Sequence, residues 1–244
     1  MQARAQAHGY TLVELATVLV ILGVLTMGMH SALESMQQAR LHNAALAHAE
    51  NARQALRAYL LRNKRLPCPD TTPEGDLGRS ASPCNANAGW LPYETLGLET
   101  PERARRLRYG VHRSAGIDLV DPAPSSIDEP DLEGRSGLAA QLMALAVAPP
   151  EAGAPHYAED FLDLGDVCSG AELANPGFVL VAPAADLDGA GGAWPGFDGP
   201  NRGFAAGTSL CVAAPSRPAN ANYDDVVVAE SAASLLGWLT ASTR

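Results

Sequence analysis

Aromatic side chains are scarce in this chain, 5 % of 244 residues, so its core is modest in large rings. Cysteine is limited to Cys68, Cys84, Cys168 and Cys211. None of them forms a C-x-x-C pair, which excludes the usual structural-zinc spacing. No H-E-x-x-H and no G-x-S-x-G occurs, so the signatures of a helical zinc site and of a serine-hydrolase elbow are both missing. Basic residues thin out along the chain. From Gly110 onward five of them (Arg113, Arg135, Arg202, Arg217 and Arg244) face eighteen acidic residues, within a net charge of −10. A domain of that charge lacks the Lys and Arg that neutralise phosphates, so nucleic acid is not an expected partner. The acidic excess suits a solvated surface. Internal repeats of useful period are absent. Nothing here asks for catalysis, and neither an enzyme activity nor a cofactor is expected.

Charge is also missing from Leu15 to Met29. Leu12, Val13, Ala32 and Leu33 extend this apolar run to about the 20 residues that a membrane span needs. Gly23 and Gly28 add small residues that permit close helix contact in a membrane. One carboxylate, Glu14, stands near the start of the run, and a lone Glu in a span is costly without a partner. An ordinary secretory signal does not fit. The leader carries only Arg4, and Thr26-Met27-Gly28 is a poor A-x-A-like cut.

No proline interrupts the chain before Pro67. After His30, Leu33, Met36, Leu41, Ala45, Ala49, Ala52, Leu56, Tyr59 and Leu60 recur at three- to five-residue steps, an apolar stripe on a helix. One helix from Tyr10 to Asn63 would be roughly 80 Å long. Basic residues favour its second half: Arg40, Arg53, Arg57, Arg62, Lys64 and Arg65 stand against Glu34 and Glu50. Leu66-Pro67-Cys68-Pro69-Asp70 ends it, and residues 70–100 read as a tied-down loop. Helices are expected at Glu102–Arg106 and Ser136–Val147. Strands are expected at Arg106–His112, Phe178–Ala182, Ser209–Ala213 and Asp225–Ala229. A final helix is expected over Glu230–Ala241, with residues 183–208 as a long Gly-rich loop.

Gly9-Tyr10-Thr11-Leu12, with Glu14 five residues into a chain that starts at Tyr10, resembles the N-terminus of type IV prepilins and of type II secretion pseudopilins. The resemblance implies cleavage after Gly9 and N-methylation of Tyr10, with removal of Met1–Gly9 and its Arg4 taking the charge from −10 to −11. It also implies a role for Glu14 in filament assembly, its carboxylate pairing with the α-amine of a neighbouring subunit. Burying both charges together avoids two unpaired ions in an apolar bundle. Ser31 stands where many major pilins carry a mid-helix proline. Leu66-Pro67-Cys68-Pro69-Asp70, Gly89-Trp90-Leu91-Pro92-Tyr93-Glu94-Thr95-Leu96-Gly97-Leu98, Arg106-Leu107-Arg108-Tyr109 and Tyr223-Asp224-Asp225-Val226-Val227-Val228 are similar, more loosely, to segments of large minor-pilin-like proteins.

The fold class expected is therefore α+β and pilin-like. A leader (1–9) precedes a long N-terminal helix (10–65), transmembrane over about 12–33 and amphipathic over 34–65. The exported domain (66–244) carries a small antiparallel sheet and long loops. On the exported side an even cysteine count suggests two disulfides. Of the three pairings that four cysteines allow, the local ones, Cys68–Cys84 and Cys168–Cys211, are favoured.

Asp186-Leu187-Asp188-Gly189 with Asp198 and Asn201 offers oxygen ligands to a cation, but Ala190 occupies the third ligand position of an EF-hand spacing. Asp70, Glu74 and Asp76 form a weaker set. Solvated turn carboxylates are the default, so no metal is expected, and Asp186, Asp188 and Asp198 stay as weak candidates. Asp224 and Asp225 are adjacent, and adjacent strand residues face opposite sides, which argues against joint acid/base work; a strand-entry turn is expected there. Trp194 and Phe197 in the 183–208 loop are candidate interface anchors.

The function expected is that of a minor pilin in a type IV pilus-type filament. Other pilin subunits, the prepilin peptidase/methylase and an inner-membrane assembly platform are the expected partners. Before assembly the chain is a single-pass inner-membrane protein with its C-terminal domain in the periplasm; afterwards it belongs to the filament. The rivals are a minor pseudopilin of type II secretion and, from another class, a filament-tip adhesin or DNA-uptake pilin that binds a ligand through the 183–208 loop.

Overall fold

The computed structural model describes residues 12–114, 116–122, 137–158, 173–187, 189, 193–194 and 196–242. The chain divides into two compact units, Met1–Arg40 and Leu41–Arg244. The first helix, α1 (Leu12–Asn63), contributes to both. In the first unit it exposes a run of large apolar side chains, Leu19, Val20 and Val24 included.

The second unit is α+β. Its main sheet is antiparallel in the order β1 (Ala88–Trp90), β2 (Arg108–Val111), β7 (Phe178–Ala182), β9 (Val226–Glu230). A hairpin, β3 (Arg113–Ser114) with β4 (Ile117–Asp118), stands apart from it. So does a small mixed sheet of β6 (Leu173–Ala174), β5 (His156–Ala158) and β8 (Cys211–Val212). The remaining helices are α2 (Tyr93–Leu96), α3 (Leu138–Val147), α4 (Pro200–Ala206) and α5 (Ala232–Ser242), with a 3₁₀ turn at Arg103–Arg105.

The sheet separates two cores. On one face Phe178, Leu180 and Ala182 pack with Ala45, Ala49, Ala52, Leu56 and Leu60 of α1, with Leu138 and Leu142 of α3, and with Leu235 and Leu239 of α5. On the other face Val179 and Val181 pack with Trp90, Phe197, Phe204, Val212 and Tyr223. A strand covered on both faces is apolar throughout, which is why β7 reads as the unbroken run Phe-Val-Leu-Val-Ala. The helical stripe behaves as its period requires from Ala45 to Leu60, where steps of four, three, four and four keep one face buried.

Leu66 to Asp70 is buried throughout, and its hydrogen bonds explain the compact motif. The Leu66 amide donates to Leu119 O, and the Tyr109 hydroxyl donates to Pro67 O. Asp70 exchanges backbone bonds with Trp90, while its carboxylate accepts from Thr72 N and Gly78 N at 2.9 and 2.7 Å. One buried aspartate thus holds the loop that the prolines and glycines open.

Several expectations shift. The strand of residues 106–112 narrows to Arg108–Val111, and the helix at 102–106 is a single 3₁₀ turn. The 183–208 segment is not loop throughout, because α4 occupies Pro200–Ala206. Pro200 suits its first turn, and Gly207, at φ 73°, ends it in the left-handed conformation.

Candidate functional site

Two groups of residues carry candidate chemistry, one in each unit. In the first, Gly9 and Tyr10 lie outside the described residues. Glu14 falls in the first turn of α1 and is exposed, a favourable place for a negative charge near a helix N-terminus. Its surroundings are apolar and exposed: Leu12, Val13, Leu15 and Val18. The hydroxyls of Thr17 and Thr26 are satisfied by the helix itself. Thr17 Oγ1 donates to Glu14 O and Thr26 Oγ1 to Leu22 O, each at 2.9 Å. Neither needs water, which suits a helix with apolar surroundings. Among the described residues no helix is long and apolar enough to cross a membrane.

In the second unit Cys68 and Cys84 form a disulfide with Cα atoms 5.7 Å apart. Cys211 is disulfide-bonded too. Its expected partner, Cys168, lies outside the described residues.

Trp194, Phe197 and Asp198 of the 183–199 segment pack within their own unit. Trp194 is half-buried and meets Trp90 edge-on, with ring centroids 4.6 Å apart. The Arg103 guanidinium lies 4.7 Å over Trp194, and the Arg108 guanidinium 4.3 Å over Trp90. The four side chains form a ladder in which two stacked cations flank the pair of rings. Arg108 is buried, and that burial lowers its pKa to about 10. Phe197 belongs to the second core, so it is not the exposed anchor expected of this loop; an apolar ring beside Val179 and Val181 is better buried than wet.

The carboxylates of this region converge. Asp198, Asp224 and Asp225 are all buried, and each offers an oxygen within 4.8 Å of the others. The opposite-sides argument does not apply to Asp224 and Asp225, which occupy the expected strand-entry turn. Strand β9 begins at Val226, so both residues belong to the turn that enters it, where side chains need not alternate. Backbone amides orient the set. Asp198 N donates to Asp225 Oδ2 at 2.8 Å, and Asp224 N donates to Asp198 Oδ2 at 3.3 Å. Ala185 N donates to Asp224 Oδ1 and Leu187 N to Asp198 Oδ1. Asn201 Nδ2 adds a bond of 2.9 Å to Asp225 Oδ2, and its own oxygen accepts from Ala213 N. Burial pushes the Asp225 carboxyl well above the usual carboxylate range. The charges of Asp198 and Asp224 add to that push, against the hydrogen bonds from Asn201 and Asp198 N.

Of the weak metal candidates, Asp198 is therefore a member of a buried cluster. Asp186 is exposed and accepts the local Gly189 amide at 3.2 Å, and Asp188 lies outside the described residues. The weaker set of Asp70, Glu74 and Asp76 is spent elsewhere. Glu74 pairs with Arg103 and Asp76 with Arg106, each at 2.7 Å, while Asp70 binds its own loop. Asp224 and Asp225 were visible in the sequence only as a pair. Their meeting with Asp198 depends on a turn that has no periodic signal.

A histidine–hydroxyl contact resembles catalytic geometry without completing it. Ser114 Oγ and Glu151 Oε1 both approach Nε2 of the buried His112, at 3.3 and 3.5 Å. Among the described residues His112 Nδ1 is buried without a hydrogen-bond partner, so no described carboxylate orients the ring from its far side.

Compared with family models, curated proteins and solved structures, this chain matches none.

Proposed function

We propose that this chain is a structural subunit, a minor pilin, of a type IV pilus-type filament, processed after Gly9 and assembled through the first half of α1. The observation that carries the reading is the character of α1 in the first unit. A helix that exposes Leu12, Val13, Leu15, Val18, Leu19, Val20, Ile21 and Leu22 needs an apolar surround. A bilayer before assembly and neighbouring helices afterwards both supply one. A single carboxylate in its first turn, five residues into a chain cut after Gly9, fits a role in register rather than in solubility. In the second unit the same helix buries Ala45 to Leu60 in a folded domain, so the two ends of α1 meet different demands. A heterologous interface that does not close generates a filament.

The test is the mature N-terminus together with location. Intact-mass and N-terminal peptide analysis should find N-methyl-Tyr10, and antibody against residues 66–244 should decorate surface filaments. A mature chain cut after Met27 or later sinks the reading. Correct processing with label confined to short periplasmic structures favours a pseudopilin instead.

A further inference from the structure

We propose that Asp198, Asp224 and Asp225 bind a hard divalent cation of the calcium class, which ties the 183–199 segment to the entry of β9. Three carboxyl groups at 0 %, 1 % and 4 % exposure stand within 4.8 Å of one another. Buried carboxyls are costly unless they are paired, hydrogen-bonded or ligated. Among the described residues, Asp225 Oδ1 has no hydrogen-bond donor.

The independent observation is Asp225 Oδ1. Its sister oxygen accepts two donors, Asp198 N and Asn201 Nδ2. Oδ1 itself is fully buried and accepts none. The carboxylate is thus anchored from one side, with a dry, donorless oxygen on the other. An oxygen in that state takes a proton or a cation, and two further carboxyls within reach favour the cation.

The donor chemistry selects its class. All three ligands are oxygens, with no imidazole or thiolate among them, which points to a hard ion. Calcium binds oxygen at about 2.3–2.6 Å, so ligands on opposite sides of one ion are separated by roughly 4.6–5.2 Å. Three oxygens within 4.8 Å of one another can therefore surround a single calcium-sized ion. Magnesium, with bonds of about 2.0–2.1 Å, would demand a tighter set. Water and backbone carbonyls would fill the other positions. The amides of Ala185, Leu187 and Asp224 each leave acceptor capacity on the oxygens they bind, and they hold the carboxylates in place.

The experiment uses the full-length chain stripped with EDTA. Calcium titration should raise the melting temperature by about 5–10 °C at roughly 100-fold excess over Kd. Magnesium should do much less. Terbium should bind in calcium's place and emit on excitation of the buried Tyr223, whose hydroxyl is 3.3 Å from Asn201 Nδ2, and calcium should quench that emission. Asp225→Asn should weaken calcium binding at least tenfold. Asp186→Asn, on the exposed side of the loop, should leave it unchanged, and this variant decides the matter should Asp225→Asn fail to fold. The absence of both a calcium shift and terbium emission in the natural chain overturns the proposal. So does an undiminished calcium response in folded Asp225→Asn, or a lost response in Asp186→Asn.

Discussion

The Glu230 carboxylate stands 2.5 Å from Arg57 Nη2, joining the end of β9 to α1. Arg53 Nη1 reaches the same oxygen at 3.1 Å, and Ser234 Oγ donates to the other at 2.7 Å. Glu230 is 2 % exposed, so the pair is desolvated on its acidic side. Removing one partner of a buried pair leaves the other uncompensated. Glu230→Ala should therefore cost about 3 kcal/mol or more. In a domain of this size that lowers the melting temperature by about 6–12 °C. Replacing Glu230, Arg53 and Arg57 together by Met or Leu should recover most of the loss, because apolar substitutes of similar volume need no compensation. Thermal melts of the single and triple variants check both statements.

This clamp was not legible in the sequence, and the reason is general. Glu230 and Arg57 are 173 residues apart, and nothing local marks either as buried. What was legible obeys a period. Phe178–Ala182 carries its own limits because both of its faces are covered, and the Ala45–Leu60 stripe follows the helical repeat. Elements without a period were missed. Strand β1 is only Ala88-Gly89-Trp90, and α4 hides behind Pro200 and Gly203, which read as punctuation. The disulfide Cys68–Cys84 was readable from proximity in the chain, whereas the meeting of Asp198 with Asp224 and Asp225 required the turn geometry.

Gly75 sits at φ 68°, and a Cβ built there lies 2.6 Å from Trp90 Cγ. Alanine meets both penalties, a left-handed backbone and a rigid ring that is itself held between Trp194 and Arg108. The Trp90 indole also donates to Pro73 O, so it cannot swing away freely. Gly75→Ala should destabilise by about 2 kcal/mol or more. Tryptophan fluorescence should shift to longer wavelength as the ladder opens, in the same samples that give the urea midpoint.

Cys68 and Cys84 close a loop of 16 residues that contains the Asp70 turn. Loop-closure entropy for that length corresponds to about 3 kcal/mol. Replacing both cysteines by serine should lower stability by that order while leaving the sheet intact. Chemical denaturation of the double variant, with far-UV circular dichroism of its native state, tests this.

His48 and His112 set an acid limit. Burial lowers the pKa of each. The bond between His48 and the Arg105 backbone opposes that shift, as do the Glu151 and Asp118 charges near His112. A depressed histidine binds its proton more readily in the unfolded chain, whose value is about 6.5. Their contribution is complete above that pH and is lost as pH falls from 6.5 towards the folded values. Each histidine adds a slope of at most about 1.4 kcal/mol per pH unit in that window. Urea midpoints at pH 7.5 and 5.5 should therefore differ. The difference should shrink in a His48→Gln, His112→Gln chain, which cannot take up those protons.

Glu14 separates the assembly reading from its plainer rivals. If the carboxylate pairs with a neighbouring subunit's α-amine, Glu14→Leu removes the partner and leaves the apolar run longer. Membrane insertion should improve, since an acidic residue near the start of a span is unfavourable and leucine is not. Processing after Gly9 should continue, because the cut lies five residues away. Incorporation should fail, or occur out of register, because an amine buried among helices without its counter-charge is costly. Glu14→Asp, with the charge kept on a shorter arm, should assemble partially. Membrane fractionation, intact mass and filament yield measured on the same cells read the three steps separately. Normal filament yield from Glu14→Leu counts against the pairing, whereas a variant that is neither inserted nor cleaved assigns Glu14 to export rather than to assembly.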